Sequence, residues 1–371
     1  MKFSCDKAAL CEVINNVSLA VASKSTLIAL EGILIRCVNQ QLTLTGYNLD
    51  LGIIKSIPVN SSEDGEIVLN ASLLSNIVNK MPSGEISFSS DNKLLTVIRC
   101  MDAEFTILGL STEDYPEIPS ISKEKELFLP LIDFRGMIAQ TLFAVSQTEQ
   151  TPIYTGTLFD IENGCLSVVS VDGYRLALKK ESISSLDDFR FVVPGKTLNE
   201  IQKLLSKFTT SEEDEKISIR VSNKHIIFEV RGYSIVSRLL EGEFLDYKNA
   251  IPKVSKTTVV VNTRDFLNSI NRASIIINDR AKSPIKCEFT GNIVKLNCET
   301  TLGKAQDSFL AELEGENVKI GFNNKYMSDA LKASECDQVR IEMSGSLSPM
   351  KILPLEGDDF LFLVLPVRLK D

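Results

Sequence analysis

The sequence predicts an α+β fold in which one domain occurs three times in tandem. Each copy reads as two β-α-β-β-β units, with two helices packed on an antiparallel sheet. Three observations predict this fold: a motif that recurs, helical periodicity after each occurrence, and alternating strand patterns between the helices. The chain has 371 residues, which is enough for three domains of roughly 120–130 residues each.

The recurring motif is Ile-Pro-x-x-Ser-Lys followed by Asp-Phe, and it occurs at 118–134 and again at 251–266. After each Asp-Phe, apolar residues recur at helical spacing, beginning with Phe134 in one copy and Phe266 in the other. The N-terminal segment 7–24 has the same spacing without the preceding motif. We therefore place the three copies at 1–122, 123–253 and 254–371.

A second helix is predicted in each copy, after a strand and a polar residue, at 68–81, 192–205 and 320–331. Short alternating segments such as QLTLTG and KISIRV fill the space between the helices, as expected for strands joined by hairpins. The sheets should therefore be mostly antiparallel, with both helices of a copy on one sheet face. Each copy should also leave open strand edges, which favour a partner strand.

Composition narrows the class of protein. The formal net charge is −9, and the apolar and charged contents of 44% and 24% are typical of soluble globular proteins. No apolar stretch approaches the roughly 20 residues of a membrane span, so we expect a cytoplasmic protein with no membrane partner. The eight cysteines form no C-x-x-C pair and the only histidine is His225, so we expect reduced thiols and no metal site. The sequence has no G-x-x-x-x-G-K-[ST] loop, and we expect no cofactor.

The segment VDGYRLAL admits two interpretations. It is either a tight turn beside a binding pocket or an enzyme site in which Asp172, Tyr174 and Arg175 act with His225 as the base. The second interpretation predicts perturbed carboxylates in a deep pocket. The triplicated architecture argues against it, since the Tyr-Arg pair is absent from the first copy, where Asn48 follows the tyrosine.

Six segments, in this order and on a threefold repeat, resemble one known family along the whole chain. They are MKF, TGYNLDL, DYP, VDGYRLAL, EGEFLDY and LPVRL, at 1–3, 45–51, 114–116, 171–178, 241–247 and 365–369. The chain resembles the beta subunits of bacterial DNA polymerase III, the sliding clamps. The resemblance implies three tandem DNA-clamp domains and a head-to-tail homodimer, a ring with pseudo-six-fold symmetry around double-stranded DNA.

The resemblance also implies a non-catalytic processivity factor, associated with the nucleoid in the cytoplasm. Such a ring tethers the polymerase alpha subunit and other clamp-motif replication and repair proteins, and an ATP-driven clamp loader opens it. An alternative of another class is a peptide-binding scaffold dimer that does not encircle DNA.

Charge is segregated in the way such a ring requires. The helix segments that the family places at the hole carry a formal charge of +7, which leaves −16 for the remainder. These segments are 7–24, 70–81, 132–147, 196–207, 264–282 and 323–332. Basic residues that contact phosphates bind DNA without reading its sequence. The residues that we expect to contact DNA are Lys24, Lys196, Arg280, Lys282 and Lys325, with Asn323 as a neutral hydrogen-bonding neighbour.

In the family, one apolar pocket binds short peptides through a glutamine and paired hydrophobic side chains. The positions of this chain that match the pocket are Tyr154, Val171, Gly173, Tyr174, Arg175, Leu176, Leu245, Asn249, Ala250, Leu347, Pro349, Leu363, Leu365, Pro366, Val367 and Arg368. We expect Gly173 to allow a sharp turn and Asp172 to cap that turn. Leu176, Leu365 and Val367 would supply apolar walls, and Tyr174 and Arg175 polar atoms at the rim.

Three pocket positions depart from the family pattern, which commonly has threonine, proline and arginine where this chain has Val171, Leu245 and Asn249. The rim should therefore be more apolar and less basic. The chain also continues beyond the usual Arg-Leu with Lys370 and Asp371, which we expect to project into solvent. For the dimer contact, the resemblance implies that Phe105 and Ile107 of one chain meet Ile275 and Ile276 of the other.

Overall fold

The computed structural model describes residues 1–119, 125–184, 187–208, 215–277 and 283–369. The predicted β-α-β-β-β unit occurs six times in it, with one additional strand in the first copy and one additional short helix between the second and third. The strand pairs within the described residues are antiparallel. The predicted fold class is therefore confirmed.

The elements of the first copy are β1 (Lys2–Asp6), α1 (Lys7–Val17), β2 (Gly32–Val38), β3 (Gln41–Tyr47), β4 (Leu51–Pro58), β5 (Asn60–Glu63), β6 (Gly65–Asn70), α2 (Ala71–Lys80), β7 (Glu85–Ser90), β8 (Leu95–Cys100) and β9 (Ala103–Leu108). Those of the second are β10 (Lys125–Pro130), α3 (Leu131–Thr141), β11 (Gly156–Glu162), β12 (Cys165–Val171), β13 (Arg175–Ser182), β14 (Phe189–Pro194), α4 (Gly195–Ser206), β15 (Lys216–Val221), β16 (His225–Val230) and β17 (Tyr233–Arg238). After the short α5 (Tyr247–Ala250), the third contains β18 (Thr257–Asn262), α6 (Thr263–Ser274), β19 (Ile285–Thr290), β20 (Ile293–Thr300), β21 (Gly303–Gly315), β22 (Val318–Phe322), α7 (Asn324–Ala333), β23 (Gln338–Met343), β24 (Met350–Leu353) and β25 (Phe360–Val364).

Side-chain caps and apolar faces explain where the helices form. The Asp6 carboxylate accepts a hydrogen bond from the Ala9 N–H at the start of α1, and asparagine side chains cap α2, α6 and α7 in the same way. The predicted apolar positions Phe134 and Phe266 are fully buried. The N-terminal helix ends at Val17, before the end of the apolar pattern, because the chain continues as a short 3-10 turn.

The sheets do not follow the copies, which corrects the expectation of one sheet for each copy. The chain divides into two compact units, one of residues 1–131 and 203–239 and the other of 132–202 and 240–371. The first unit contains a five-stranded sheet, β5-β1-β7-β8-β9, and an eight-stranded sheet, β10-β15-β16-β17-β4-β3-β2-β6. The second contains a twelve-stranded sheet, β14-β11-β12-β13-β25-β24-β23-β18-β21-β20-β19-β22.

The middle copy is shared between the units because its strands extend the sheets of its neighbours in sequence. In the first unit β4 pairs with β17, and in the second unit β13 pairs with β25. Backbone pairing thus joins strands from different copies, which no apolar pattern within one copy reveals. The copy boundaries 1–122, 123–253 and 254–371 stay a prediction.

Candidate peptide-binding pocket and contact surfaces

The turn between β12 and β13 has the local geometry predicted for it. The Asp172 Oδ1 accepts hydrogen bonds from the backbone N–H groups of Tyr174 (2.9 Å) and Arg175 (3.1 Å), which confirms that Asp172 caps the turn. Gly173 has a φ of +87°, and a Cβ at this position would meet no atom of the described residues within 4 Å. Glycine is therefore favoured here by its backbone conformation and not by a lack of space.

Arg175 is not at the rim, and that expectation was wrong. The residue is 6% exposed, and its guanidinium bridges two carboxylates: Nε lies 2.9 Å from Asp172 Oδ2 and Nη1 lies 2.6 Å from Asp329 Oδ2. The guanidinium carbon lies 4.6 Å from the centroid of the Tyr326 ring and 5.4 Å from that of Phe143. Because both carboxylates are already bonded to it, the guanidinium holds the turn in place and does not present a free charge to solvent.

An apolar cluster lies beneath the turn. Val171, Leu176 and Leu363 are at most 5% exposed and belong to this cluster. Leu176 therefore contributes to the floor of the site rather than to an open wall. Tyr154 packs against the cluster, and its ring meets that of Phe244 edge-on with centroids 5.5 Å apart.

The C-terminal segment is attached to the turn at one point and to β22 at another. The Leu365 N–H donates to the Tyr174 carbonyl (2.9 Å), and the Val367 N–H donates to the Gly321 carbonyl (2.8 Å). A Cβ at Gly321 would lie 2.8 Å from the Val367 carbonyl oxygen, so only glycine allows this approach. Tyr174, Leu365 and Val367 are 62%, 37% and 39% exposed, which makes these residues available to a ligand.

The remaining predicted pocket residues surround the same cluster. Tyr247 belongs to this cluster, and Phe244 and Ile251 pack against it. The residues between them lie at its margin, and the three that were predicted to line the pocket, Leu245, Asn249 and Ala250, are exposed. The Asn249 Nδ2 donates to Asp246 Oδ2 at 2.6 Å.

The loop before β24 contributes the other side of the site. It contains Leu347, which is 73% exposed, and the half-buried Pro349. Met350 follows directly and pairs with Val364, which places the loop beside the C-terminal segment. Pro366 is half-buried there and Arg368 is exposed. The second unit thus brings the turn, the linker and the C-terminal segment together.

Sequence reasoning missed three residues of this site, namely Phe143, Tyr326 and Asp329. The rings of Tyr326 and Tyr174 stack with centroids 6.1 Å apart. Tyr326 and Asp329 are three residues apart on α7 and therefore share a helix face. The spacing of these two residues predicts that they share a helix face. The sequence does not predict that this face contacts the turn, because that contact depends on the pairing of β13 with β25.

The basic residues predicted to contact DNA are exposed where the structure describes them. Lys24, Lys196 and Lys325 are exposed, whereas Arg280 and Lys282 lie outside the described residues, as do Lys370 and Asp371. The Asn323 side chain has a structural role, because its Oδ1 accepts from the N–H groups of Lys325 and Tyr326 and caps α7.

The predicted dimer residues occupy two open positions. Phe105 and Ile107 lie on β9, the outermost strand of its sheet, and Phe105 is 43% exposed. Ile275 is 79% exposed at the end of α6, whereas Ile276 packs partly against the core of the second unit. These residues are therefore not all ordinary core. None of the helices in the described ranges is long and apolar enough to cross a membrane.

Comparison with known proteins identifies the family. Family models of the DNA polymerase III beta subunit match residues 1–119 with its N-terminal domain, 129–246 with its central domain and 248–368 with its C-terminal domain. The beta sliding clamp of Halalkalibacterium halodurans is 34% identical, over 99% of this chain and 100% of that protein. The crystal structure of the Bacillus subtilis DNA polymerase sliding clamp superimposes with a TM-score of 0.95 at 32% identity, and that of a DNA polymerase III beta subunit from Eubacterium rectale with 0.93 at 33%, both over 100% of each chain. The chain therefore belongs to the DNA polymerase III beta subunit family and acts as a DNA sliding clamp for the replicative polymerase.

Proposed function

We propose that two copies of this chain pair head to tail into a closed ring on double-stranded DNA, and that the site around 172–175 binds peptide segments of replication proteins. Support for closure comes from a junction that occurs twice within the chain. In both, the strand after a capped turn pairs antiparallel with the last strand of another copy, β4 with β17 and β13 with β25.

The strand that follows the corresponding turn of the third copy is β21, and the last strand of the first copy is β9. Between two chains, these strands would form the same kind of pair. Within the described residues, β9 pairs on one side only, with β8. Residues 303–310 of β21 pair with β20, whereas β18 takes up only residues 311–315. An exposed strand edge is a template for a partner strand, and a head-to-tail contact between identical chains closes into a ring where the rotation between them closes.

The internal junctions also supply a register for this contact. When β9 pairs with β21 in the register of β17 with β4 and of β25 with β13, Phe105 lies opposite the partner's Ala305. In the same register, Ile107 lies opposite the partner's Gly303. The Thr300 Oγ1 donates to the Ile276 carbonyl at 3.0 Å, so Ile276 adjoins the edge that Ile107 would meet. This geometry supports the predicted contact.

The dimer contact is tested by Ile107→Asp. A carboxylate in the apolar seam loses hydration without gaining a partner, and we expect sedimentation velocity to give monomers at micromolar concentration. Leu347→Asp is the matched control, because Leu347 is 73% exposed at the peptide site. A stable dimer in both variants would reject this seam.

Encirclement of DNA is tested by retention on nicked circular DNA in high salt, after incubation with a bacterial clamp loader and ATP. Salt weakens phosphate contacts but does not open a closed ring. Retention on circles and release from linearised DNA would support encirclement. Loss from both, with a loader of the same organism, would favour the peptide-binding scaffold. Lys196→Glu with Lys325→Glu should weaken salt-sensitive binding and leave the topological retention.

Peptide binding is tested with a fluorescent peptide that contains a glutamine and paired leucine and phenylalanine residues. Leu365→Asp places a charge in the exposed apolar wall, and we expect at least about tenfold weaker binding. Leu355→Asp is the control, since Leu355 is similarly exposed, at 41% against 37%, and lies outside the predicted pocket. Equal binding by both variants would reject the site.

The proposal includes a non-catalytic role. Asp172 is committed to the turn and to Arg175, which argues against proton transfer by it. The partners we propose are the polymerase alpha subunit, a clamp loader and other clamp-motif proteins, in the cytoplasm at the nucleoid.

A further inference from the structure

We propose that Asp329 on α7 is a positioning residue for the peptide site, acting through Arg175 to hold the turn 172–175 in its binding-competent position. The inference rests on the proposed peptide site and goes beyond it, because Asp329 is not among the residues predicted to line the pocket.

The contacts form a continuous path from the helix to the exposed surface of the site. Asp329 Oδ2 lies 2.6 Å from Arg175 Nη1, and Arg175 Nε lies 2.9 Å from Asp172 Oδ2. The other oxygen of Asp172 accepts both turn N–H groups. The carbonyl of Tyr174 then accepts the Leu365 N–H. One guanidinium thus fixes both the turn and, through it, the start of the C-terminal segment.

Burial makes the second carboxylate necessary. The side chains of Arg175 and Asp172 are 7% and 12% exposed, and that of Asp329 is 25% exposed. A buried guanidinium that loses one of its charged partners retains the cost of desolvation without the compensating bond. The least costly response is for Arg175 to turn toward solvent. Because the turn is bonded to that guanidinium, the turn would move with it.

The packing of aromatic rings also indicates that α7 positions the turn. Tyr326, on the same face of α7 as Asp329, lies 4.6 Å from the Arg175 guanidinium and stacks on Tyr174 with centroids 6.1 Å apart. The helix therefore contacts the turn through both a charge and a ring. The position of the exposed Tyr174 ring depends on α7 and not only on its own strand.

The test compares Asp329→Asn with Asp329→Glu in peptide-binding titrations on the full chain. We expect about tenfold weaker binding for the amide, which keeps the shape and loses the charge, and recovery to within about threefold for the glutamate. Asp265→Asn, which removes a carboxylate from α6 in the same unit, should bind like the parent. Arg175→Lys keeps a charge but cannot bridge two carboxylates, so it should weaken binding similarly and not additively with Asp329→Asn.

A spectroscopic measurement separates positioning from general loss of structure. The chain contains no tryptophan, so Tyr174→Trp introduces a single reporter in the turn. In that background, Asp329→Asn should raise iodide quenching of the tryptophan, and Asp329→Glu should restore it, while circular dichroism stays unchanged. Should the amide variant not fold, the Arg175→Lys and Asp329→Glu titrations decide the matter.

The outcomes distinguish this inference from the proposed function. Unchanged peptide affinity and quenching in Asp329→Asn, with Leu365→Asp defective, would overturn the positioning role and leave the site intact. Failure of the parent chain to bind the peptide would instead overturn the proposed site.

Discussion

Two turns of this molecule have the same backbone and different surroundings. In the first unit, the Asn48 Oδ1 accepts hydrogen bonds from the N–H groups of Asp50 (3.1 Å) and Leu51 (2.9 Å). In the second unit, Asp172 makes the equivalent pair of bonds. The residue after the cap has a positive φ in both, +77° at Leu49 and +87° at Gly173.

At each junction, the end of the last strand of the other copy is bonded to the turn in the same way. The Arg238 N–H donates to the Asp50 carbonyl at 2.9 Å, as the Leu365 N–H does to the Tyr174 carbonyl. The exposed apolar pair of the second turn is therefore replaced by a charged pair in the first. A third turn shares one bond of this motif, because the Thr300 Oγ1 accepts the Leu302 N–H at 3.1 Å.

The difference lies in what fills the space beside the turn. Hairpin pairing places Gly52 opposite Tyr47 and Leu176 opposite Val171, so Gly52 and Leu176 are equivalent. A Cβ at Gly52 would lie 2.9 Å from the Cδ1 of Ile118. In the first copy the linker residue Ile118 fills the space at this position, whereas in the second copy the buried Leu176 fills it and Tyr174 and Leu365 stay exposed around the turn. The same backbone motif is structural in one unit and a candidate binding site in the other.

The pairing also corrects the alignment of the repeats made from sequence. Asn48 follows Tyr47 as Arg175 follows Tyr174, but the structural equivalent of Arg175 is Leu51, since both begin the strand after the turn. The conclusion that the first copy lacks an equivalent arginine still holds.

Leu176→Ala should have the largest effect, because it removes buried methyl groups from the floor of the second site. We expect a loss of about 2–4 kcal/mol in the free energy of unfolding, measured by urea denaturation. Leu347→Ala is the control, since Leu347 is 73% exposed, and should change stability by less than about 0.5 kcal/mol. A loss below about 1 kcal/mol for Leu176→Ala would contradict the assignment of Leu176 to the floor.

Gly52→Leu makes the first turn resemble the second and should cost about 1–3 kcal/mol, because Ile118 already occupies the space. Combination with Ile118→Ala should recover part of that loss in the same urea measurement. Additive losses in the double variant would show that Ile118 is not the obstacle.

Tyr247→Phe and Tyr115→Phe compare two buried tyrosine hydroxyl groups, one in each unit. The Tyr247 hydroxyl donates to the Asp160 carboxylate at 2.9 Å and that of Tyr115 to the Thr45 carbonyl at 3.0 Å. Bonds to charged acceptors are stronger, so we expect losses of about 2 and about 1 kcal/mol respectively in urea denaturation at pH 8. Equal losses would contradict this ranking.

The same tyrosines give a dependence on pH with a defined sign. Burial raises the pKa of both phenols above the ordinary value of 10.0. A phenol whose pKa is higher in the folded than in the unfolded state contributes fully to the free energy of unfolding below pH 10. This contribution is lost as the pH rises toward the folded-state pKa. The stability gap between the parent and either phenylalanine variant should therefore narrow above pH 10. A constant gap between pH 9 and pH 11 would contradict the shift.

Gly173→Ala and Leu49→Gly should have the smallest effects. An alanine at positive φ costs about 1 kcal/mol, so Gly173→Ala should lower the unfolding free energy by that amount. In Leu49→Gly the relief of strain is offset by greater freedom of the unfolded chain, and we expect a change within about 0.5 kcal/mol by thermal unfolding. A larger loss for Leu49→Gly would mean that the half-exposed leucine packs usefully.

The sequence by itself determined the elements and the local turns. The apolar spacing that begins at Phe134 and Phe266 predicts helices that the structure contains, and Asp172 with Gly173 predicts the capped turn. These features depend on residues within a few positions of each other, so local propensity and periodicity are sufficient to predict them. The family resemblance then supplied the residues expected to surround the turn.

Only the tertiary structure decided how the copies join and what each turn contacts. The continuation of sheets through β4 with β17 and β13 with β25 depends on backbone hydrogen bonds between distant segments, to which side-chain patterns are indifferent. The burial of Arg175 between Asp172 and Asp329 follows from that pairing, because it brings α7 to the turn. From the sequence, the Arg175 guanidinium was expected to be exposed at the rim. It is buried because Asp329, which is distant in sequence, forms an ion pair with it.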